Sequence, residues 1–131
     1  MTRDTLMAWV AAYERAWRTP GTQALGEIFT TDAVYRMSPY GPVVRGLEAL
    51  RQLWEDEREG PDEVFTMSAS VVACEGDTGV VRVEVRYGEP VREEFRDLWV
   101  LRFAPDGRCA EFEEWWYTPG SAAAAGGEAA G

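Results

Sequence analysis

The chain has 131 residues, enough for one hydrophobic core and too few for two domains of ordinary size. Its 13 basic and 23 acidic residues give a formal net charge of −10, which argues against nucleic acids and anionic membranes as partners, because both bind basic surfaces. The sequence contains no His, Lys or Asn. Schiff-base catalysis, Ser–His and Cys–His nucleophile pairs and His-ligated metal sites are therefore excluded.

Three helices are predicted in the first half of the chain. Apolar side chains recur at helical spacing over residues 4–18. A shorter apolar segment predicts a second helix over residues 24–29, and a third helix is predicted over residues 47–59. No apolar run approaches the roughly 20 residues that span a bilayer.

Strands are predicted from the remaining apolar segments. Short strands are expected over residues 33–37 and 43–45, and from residue 64 onward the apolar period becomes two. This period predicts a meander of four long antiparallel strands, over residues 64–74, 80–87, 91–103 and 108–117. In such a sheet helices cover one face, and the other face is open to water or to a second subunit.

The ends of the chain and its cysteines predict where the protein is found. The first residues lack the continuous apolar region of a signal peptide, so we expect a cytoplasmic protein. Cys74 and Cys109 are too few for a zinc site without other soft ligands, and we expect both to be buried, reduced thiols, with a disulfide as the alternative. Residues 1–119 are predicted to form the domain, and the Ala/Gly-rich residues 120–131 a disordered tail without function.

The order of elements and several local segments resemble the nuclear transport factor 2-like superfamily, in its SnoaL-like polyketide cyclase and steroid isomerase branch. The segments that carry the resemblance are residues 9–13, 25–33, 46–50, 97–103, 106–108 and 113–115. The resemblance implies an α+β fold in which a cone-shaped, curved antiparallel sheet wraps around a long N-terminal helix and leaves an apolar pocket at one end. It also implies a homodimer, but it does not define an activity, because the superfamily contains isomerases, cyclases, hydrolases and non-catalytic scaffolds. We expect no cofactor and no metal.

Three site positions follow from the resemblance to steroid isomerases. In those enzymes a tyrosine on the first helix and a protonated aspartate on a late strand form an oxyanion hole, and a second carboxylate acts as the base. The tyrosine falls on Tyr13 and the aspartate on Asp97. The base falls on Ser38, whose hydroxyl is not basic near neutral pH, so isomerisation with the same base is not expected.

The pattern around Asp97 points independently to a special role for this residue. Alternation places it on one face of its strand with four large apolar side chains, namely Phe95, Trp99, Leu101 and Phe103. An acid in such surroundings has a raised pKa, and its neutral form can donate a hydrogen bond. The alternative is a buried aspartate that Tyr13, Arg36 or a backbone amide satisfies.

Glu114 is the second candidate carboxylate, because the family register turns it inward beside the strand of Asp97. The alternative for Glu114 is a solvated or Arg-paired side chain. The residues predicted to line the pocket and bind the ligand are Trp9, Trp17, Tyr35, Ser38, Tyr40, Trp54, Trp99, Phe112 and Trp116.

Together these residues predict a protein that binds a small apolar molecule. As an enzyme it would be a cofactor-free isomerase or cyclase that acts on an apolar keto or polyketide-like substrate, with Asp97, Tyr13 and Glu114 as catalytic residues. The alternative is a non-catalytic binding or scaffold protein of the same fold. A third possibility, epoxide hydrolysis through an Asp–Arg–Asp relay, would use Asp97 and Arg36 but lacks a second aspartate.

Overall fold

The computed structural model describes residues 1–58 and 63–120 and confirms the predicted α+β fold. The helices in this part of the chain are α1 (Arg3–Arg18), α2 (Leu25–Ile28) and α3 (Leu47–Glu57). The strands are β1 (Phe29–Arg36), β2 (Val43–Arg45), β3 (Phe65–Glu75), β4 (Thr78–Tyr87), β5 (Glu93–Phe103) and β6 (Cys109–Tyr117). None of the helices in the described residues has the length and apolarity needed to cross a membrane.

Helix α1 begins in a capping box. The Thr2 hydroxyl accepts a hydrogen bond from the backbone N–H of Thr5 at 3.2 Å, and the Thr5 hydroxyl accepts one from the Thr2 N–H at 2.9 Å. These bonds satisfy N–H groups that the start of a helix otherwise leaves without a partner. Four residues of the predicted apolar stripe are buried, namely Leu6, Trp9, Val10 and Tyr13. The predicted fifth member, Trp17, is only partly buried, and Ala16 is buried instead.

The strands form one curved, unclosed sheet in the order β2-β1-β6-β5-β4-β3. Strands β3 to β6 are the predicted antiparallel meander. One pair differs from the antiparallel prediction, since β1 runs parallel to β6 with Tyr35 opposite Phe112. Through this pair the N-terminal strand extends the meander and brings Tyr35 to the same face as the core.

The second helix is shorter than predicted. It ends at Ile28, and Phe29 already belongs to β1, where it pairs with Cys109 of β6. Both side chains of this pair are fully buried. Periodicity alone does not show whether a short apolar segment is a helix or a strand. At Phe29 strand pairing and burial decide, and they favour the strand.

Helix α3 ends earlier than predicted. Its last residue is Glu57, and Arg58 has an extended backbone. The Arg58 guanidinium donates hydrogen bonds to the carbonyl oxygens of Thr19 and Gly21, each at 2.6 Å. These bonds tie the end of α3 to the loop that follows α1, so the two helices face the same end of the sheet.

Two predictions lie outside the described residues. They are the last residue of the predicted third helix, at position 59, and residues 121–131 of the tail that is predicted over residues 120–131. The two cysteines are described, and both are free thiols, as predicted. Cys109 is buried as predicted, whereas Cys74 is only partly buried.

The two faces of the sheet differ in composition. On the concave face Val81, Val83 and Val85 are buried, as alternation predicts. On the outer face cross-strand ion pairs join neighbouring strands, for example Arg102 and Glu111 at 3.2 Å. These pairs are solvent-exposed and contribute little to stability, so the concave face holds the core.

Helix α1 and strand β4 approach each other closely at Gly79. A Cβ atom at this position would lie 2.8 Å from Cδ2 of Leu6, and Leu6 is fully buried. The absence of a side chain at Gly79 therefore lets the N-terminal end of α1 lie directly on the sheet.

Candidate functional site

A cavity of about 390 Å³ opens between α1, α3 and the concave face of the sheet. Rings from both helices form one side of it, including Tyr13, Trp17 and Trp54. The described lining is mostly aromatic and aliphatic, and it contains five acidic side chains and no basic one. The acidic side chains are Glu57, Glu63, Glu93, Asp97 and Glu114. A concave, mainly apolar cavity of this size, with a few polar groups, is typical of small-molecule sites.

The cavity extends inward along strand β5, from the mouth to the inner end. Glu93 at the start of the strand is exposed, Phe95 is half-buried, and Asp97 and Trp99 are only 6% and 2% exposed. All four side chains line the cavity. The mouth is therefore near Glu93, and Asp97 and Trp99 lie at the inner end.

Asp97 and Glu114 are neighbours at this inner end. In the β5–β6 ladder Asp97 is opposite Trp116 and Trp99 is opposite Glu114, so the two acids are diagonal neighbours on the concave face. Their carboxyl groups are within hydrogen-bonding reach of each other. The indole Nε1–H of Trp99 donates to Oδ2 of Asp97 at 3.4 Å. Oδ1 of Asp97 is buried and has no hydrogen-bond partner among the described residues.

The surroundings of the two carboxyl groups favour protonation. Burial raises the pKa of Asp97, and the hydrogen bonds with Glu114 and Trp99 act in the opposite direction. Burial, followed by the hydrogen bond and the charge of Asp97, raises the pKa of Glu114 well above its usual range. Two ionised carboxylates only accept hydrogen bonds, so one shared proton is needed to join them. The Asp97–Glu114 pair therefore retains one proton at a higher pH than ordinary carboxyls do.

Two tyrosines lie near this pair. The hydroxyl oxygens of Tyr13 and Tyr35 are 3.4 Å apart, and both rings stack on Phe112 with centroid distances of 5.6 and 4.5 Å. Burial raises the pKa of both phenols, and the charge of Glu114 adds to the shift. Both phenols therefore remain protonated near neutral pH and keep their ability to donate a hydrogen bond.

The structure brings most of the predicted site residues to one cavity. Those that line it are Asp97, Tyr13, Glu114, Trp17, Tyr35, Trp54, Trp99 and Trp116. Neither of the predicted partners, Tyr13 and Arg36, both of which the structure describes, hydrogen-bonds to Asp97; Trp99, two residues along on the same face of the strand, does. Alternation places Trp99 beside Asp97, so the sequence contained this signal.

Four residues predicted to contact the ligand lie outside the described cavity lining. Trp9 is buried deeper in the core, where its Nε1–H donates to the Ile28 carbonyl oxygen at 2.9 Å. Phe112 is 1% exposed beneath the two tyrosine rings. Ser38 is in the bend after β1, and Tyr40 in the same segment is fully exposed to solvent.

Arg36 lies on the other side of the sheet from Asp97. It is opposite Glu113 in the β1–β6 ladder, with its Nε 3.9 Å from Oε1 of that glutamate, and it does not line the cavity. The Asp–Arg arrangement that an epoxide hydrolase relay needs is therefore not assembled around Asp97.

The sequence interpretation missed several carboxylates of the cavity. Glu57 and Glu93 line its wall, whereas the pattern of charges around them is typical of a solvated helix end and an exposed charge ladder. Their position at the cavity becomes visible only in the structure, because the end of α3 and the start of β5 meet at the same opening. Among residues 1–58 and 63–120, no three Cys, Asp or Glu side chains are grouped so that they could hold a metal ion.

Comparison with known proteins places the chain among small α+β proteins with this curved sheet. The family model of the SnoaL-like domain matches residues 10–112. No curated protein sequence gives a significant match.

Solved structures show the same fold at low sequence identity. A proposed polyketide cyclase from Sinorhizobium meliloti is 22% identical, with 87% of this chain and 99% of that chain covered and a TM-score of 0.64. The epoxide hydrolase/cyclase-like enzyme SalBIII, from pyran ring formation in the polyether salinomycin, is 19% identical, with 85% and 89% covered and a TM-score of 0.69. A proposed ketosteroid isomerase from Kribbella flavida is 16% identical, with 88% and 76% covered and a TM-score of 0.64.

Proposed function

The chain belongs to the SnoaL-like domain family, and we propose that it binds a small apolar molecule in the cavity and acts on it as a cofactor-free isomerase or cyclase. The single observation that carries the proposal is the Asp97–Glu114 pair, which shares the inner end of an otherwise mainly apolar cavity. A carboxyl pair that holds one proton contains both an acid and a base, which is what proton transfer within one substrate requires.

The difference in exposure between the two carboxyl groups suggests a different role for each. Oδ1 of Asp97 is shielded from solvent, while Glu114 is only partly buried and faces the cavity. We infer that a substrate exchanges its proton with Glu114, and that Asp97 holds the pair's charge behind it. In this assignment Glu114 contacts the substrate, and Asp97 sets its proton affinity.

An apolar keto substrate fits this arrangement. The Tyr13 phenol is a protonated donor on the cavity wall and would hydrogen-bond to the carbonyl oxygen of the substrate. Glu114 first passes its proton to the Asp97 carboxylate and then takes the proton from the carbon beside that carbonyl, while the electron pair of the C–H bond moves toward the oxygen and forms an enolate. Return of that proton from Glu114 to another carbon completes an isomerisation. In a cyclisation the enolate carbon instead attacks a second carbonyl within the same polyketide chain and closes a ring, and the alkoxide formed there takes the proton from Glu114. Both reactions are balanced without an oxidant or a cofactor.

The indole N–H groups of Trp17 and Trp54 support an oxygen-bearing ligand. Both side chains line the cavity, and both Nε1 atoms are buried without a hydrogen-bond partner among the described residues. A buried donor without an acceptor is unfavourable by about 1–3 kcal/mol. A carbonyl or hydroxyl oxygen of a ligand would supply an acceptor on this side of the cavity.

A tryptophan-fluorescence titration tests the proposal without labels, because several of the six tryptophans line the cavity. We expect saturable changes in emission with members of a panel of planar phenols, steroids and polyketide mimics, and turnover of the best-bound keto compound. Glu114→Gln should abolish turnover and preserve binding, whereas the matched surface variant Glu111→Gln should preserve both. Binding without turnover of any bound keto compound would favour the non-catalytic binding protein, and a flat response across the panel would contradict the proposal.

We propose that two copies of the chain form a homodimer through the outer face of the sheet. We also propose that the protein is cytoplasmic. Leu98 is opposite Trp115 and Val100 is opposite Val80 on this face, and Trp115 is 38% exposed. These side chains form an apolar strip between the surface ion pairs. Light scattering after size-exclusion chromatography should give twice the chain mass for the unmodified protein and the single chain mass for Leu98→Glu.

A further inference from the structure

The charged side chains that line the described cavity all have the same sign. Five described lining residues are acidic and none is basic, although the chain has 13 arginines. Glu57 and Glu93 are exposed near the mouth, and Asp97 and Glu114 lie at the inner end. A cleft with low-dielectric walls concentrates such a field, so the cavity attracts cations and repels anions.

Two arginines contact aromatic rings of the cavity lining without lining the cavity themselves. The Arg18 guanidinium lies 3.9 Å from the Phe65 ring centroid and pairs with Glu14 at 2.8 Å. Arg58 lies 5.9 Å from the centroid of Trp54 and pairs with Glu55 at 2.7 Å. A third arginine, Arg92, lies beside Glu93 with its Nε 4.0 Å from Oε1 of that glutamate, so its charge offsets part of the negative charge at the mouth.

The aromatic wall is itself suited to a cation. Trp17 and Trp54 pack edge to face with centroids 4.8 Å apart, and Tyr13 packs on Trp54 at 5.1 Å. Phe95 and Trp116 form a second such pair at 5.9 Å on the sheet side of the cavity. These aromatic side chains line the cavity, and aromatic rings around a cavity are what binds organic ammonium groups in proteins.

At the inner end one acceptor lacks a donor. Asp97 is 6% exposed, lines the cavity, and its Oδ1 has no hydrogen-bond partner among the described residues. A buried carboxylate oxygen of this kind is stabilised most by a charged N–H donor. Glu114 beside it offers a second acceptor to the same donor.

From these observations we propose that the ligand carries a protonated amine on an apolar body, with the ammonium group taking the place of the proton shared by Asp97 and Glu114 and the body held by the aromatic wall. The inference rests on the binding part of the proposed function, because it requires that the cavity binds a small molecule, and it replaces the keto group by an ammonium as the group that meets the pair. It goes beyond that function by giving the ligand a charge and a donor group.

Three probes of one shape test the inference by tryptophan fluorescence with the full chain. They are 1-adamantylmethylammonium, 1-adamantanemethanol and 1-adamantanecarboxylate, which share a rigid apolar body and absorb little light where tryptophan does. Near neutral pH we expect the ammonium to bind at least about tenfold more tightly than the alcohol, and the carboxylate to bind most weakly.

Two matched variants distinguish the effect of the cavity's negative charge on binding from the effect of the protein's net charge. Glu57→Gln should weaken ammonium binding several-fold and leave alcohol binding unchanged, whereas Glu111→Gln, which removes the same charge from the outer face, should change neither. Equal affinity for ammonium and alcohol, tighter binding of the carboxylate, or equal loss in the two variants would overturn the amine assignment. Each of those results still shows a cavity that binds ligands, so the proposed function survives it. If none of the three probes binds, while a keto compound of the earlier panel does, only the amine assignment fails. If no compound of either set binds, both fail.

Discussion

Replacement of Asp97 by Asn tests the central physical feature of the site, a buried carboxyl pair with too few donors. The side chains have nearly the same shape, so packing against Trp99 is kept. The amide oxygen still accepts the hydrogen bond of Trp99 Nε1, which spans 3.4 Å in the native chain. The amide N–H group adds a donor where Oδ1 now has none among the described residues, and it can reach the carboxyl group of Glu114.

The expected effect depends on pH, with a sign fixed by the direction of the pKa shifts. Both pKa values are raised in the folded protein, chiefly by burial, so above about pH 4 the folded chain holds more protons than the unfolded chain. The stabilisation from these two groups is therefore complete at low pH and is lost as the pH rises through their raised pKa values. An unsatisfied buried oxygen is unfavourable by about 1–3 kcal/mol. We expect Asp97→Asn to raise the free energy of unfolding by about that amount at pH ~8 and to give no gain at pH ~4.

Urea denaturation followed by tryptophan emission measures this difference. Glu111→Gln serves as the control, because it removes one carboxylate from the exposed outer face and should give the same small change at both pH values. A loss of stability in Asp97→Asn that is equal at the two pH values would refute the reasoning, since it would show that Asp97 is well satisfied in the native protein and that its charge is not strained by burial.

Three further outcomes are expected from urea denaturation. Glu114→Gln should flatten the decline of stability with rising pH, because its amide donates to Asp97 at every pH. A decline as steep as that of the native chain would show that Glu114 takes no part in the raised proton affinity of the pair. Gly79→Ala should be destabilising by about 1–3 kcal/mol, since its Cβ would lie 2.8 Å from the buried Leu6 side chain. In the double variant Leu6→Val should recover part of this loss. If the two single losses simply add in the double variant, a clash between the side chains is excluded. Thr2→Ala should be destabilising by about 1 kcal/mol through loss of the capping box, whereas Thr2→Ser should keep nearly all of the stability, and equal losses would exclude the cap.

The sequence by itself determined the class of the fold and most of its elements. Helical spacing defined the buried face of α1, and alternation of Val81, Val83 and Val85 defined the concave face of β4. Both signals are local, because a buried face leaves a regular period in the chain that forms it. The same alternation singled out Asp97 as an acid among apolar neighbours, and the structure buries it there.

The short apolar segments were decided by tertiary pairing. Residues 24–29 read as one helix, yet Phe29 begins a strand because Cys109 of β6 pairs with it. Likewise nothing local predicts that β1 runs parallel to β6, since the partner strand is encoded some 80 residues later in the chain and in a segment that forms a hairpin with β5.

The composition of the cavity was also decided only by the tertiary structure. Trp9 and Trp17 lie on the same face of α1, but depth in the fold places Trp9 in the core and Trp17 on the cavity wall. Glu57 and Glu93 belong to locally solvated segments, and they become part of one acidic cavity because the end of α3 and the start of β5 meet at its mouth. A sequence records the faces that its own elements bury; which side chains share a cavity depends on how distant elements pack together, and that packing leaves no periodic signal in either of them.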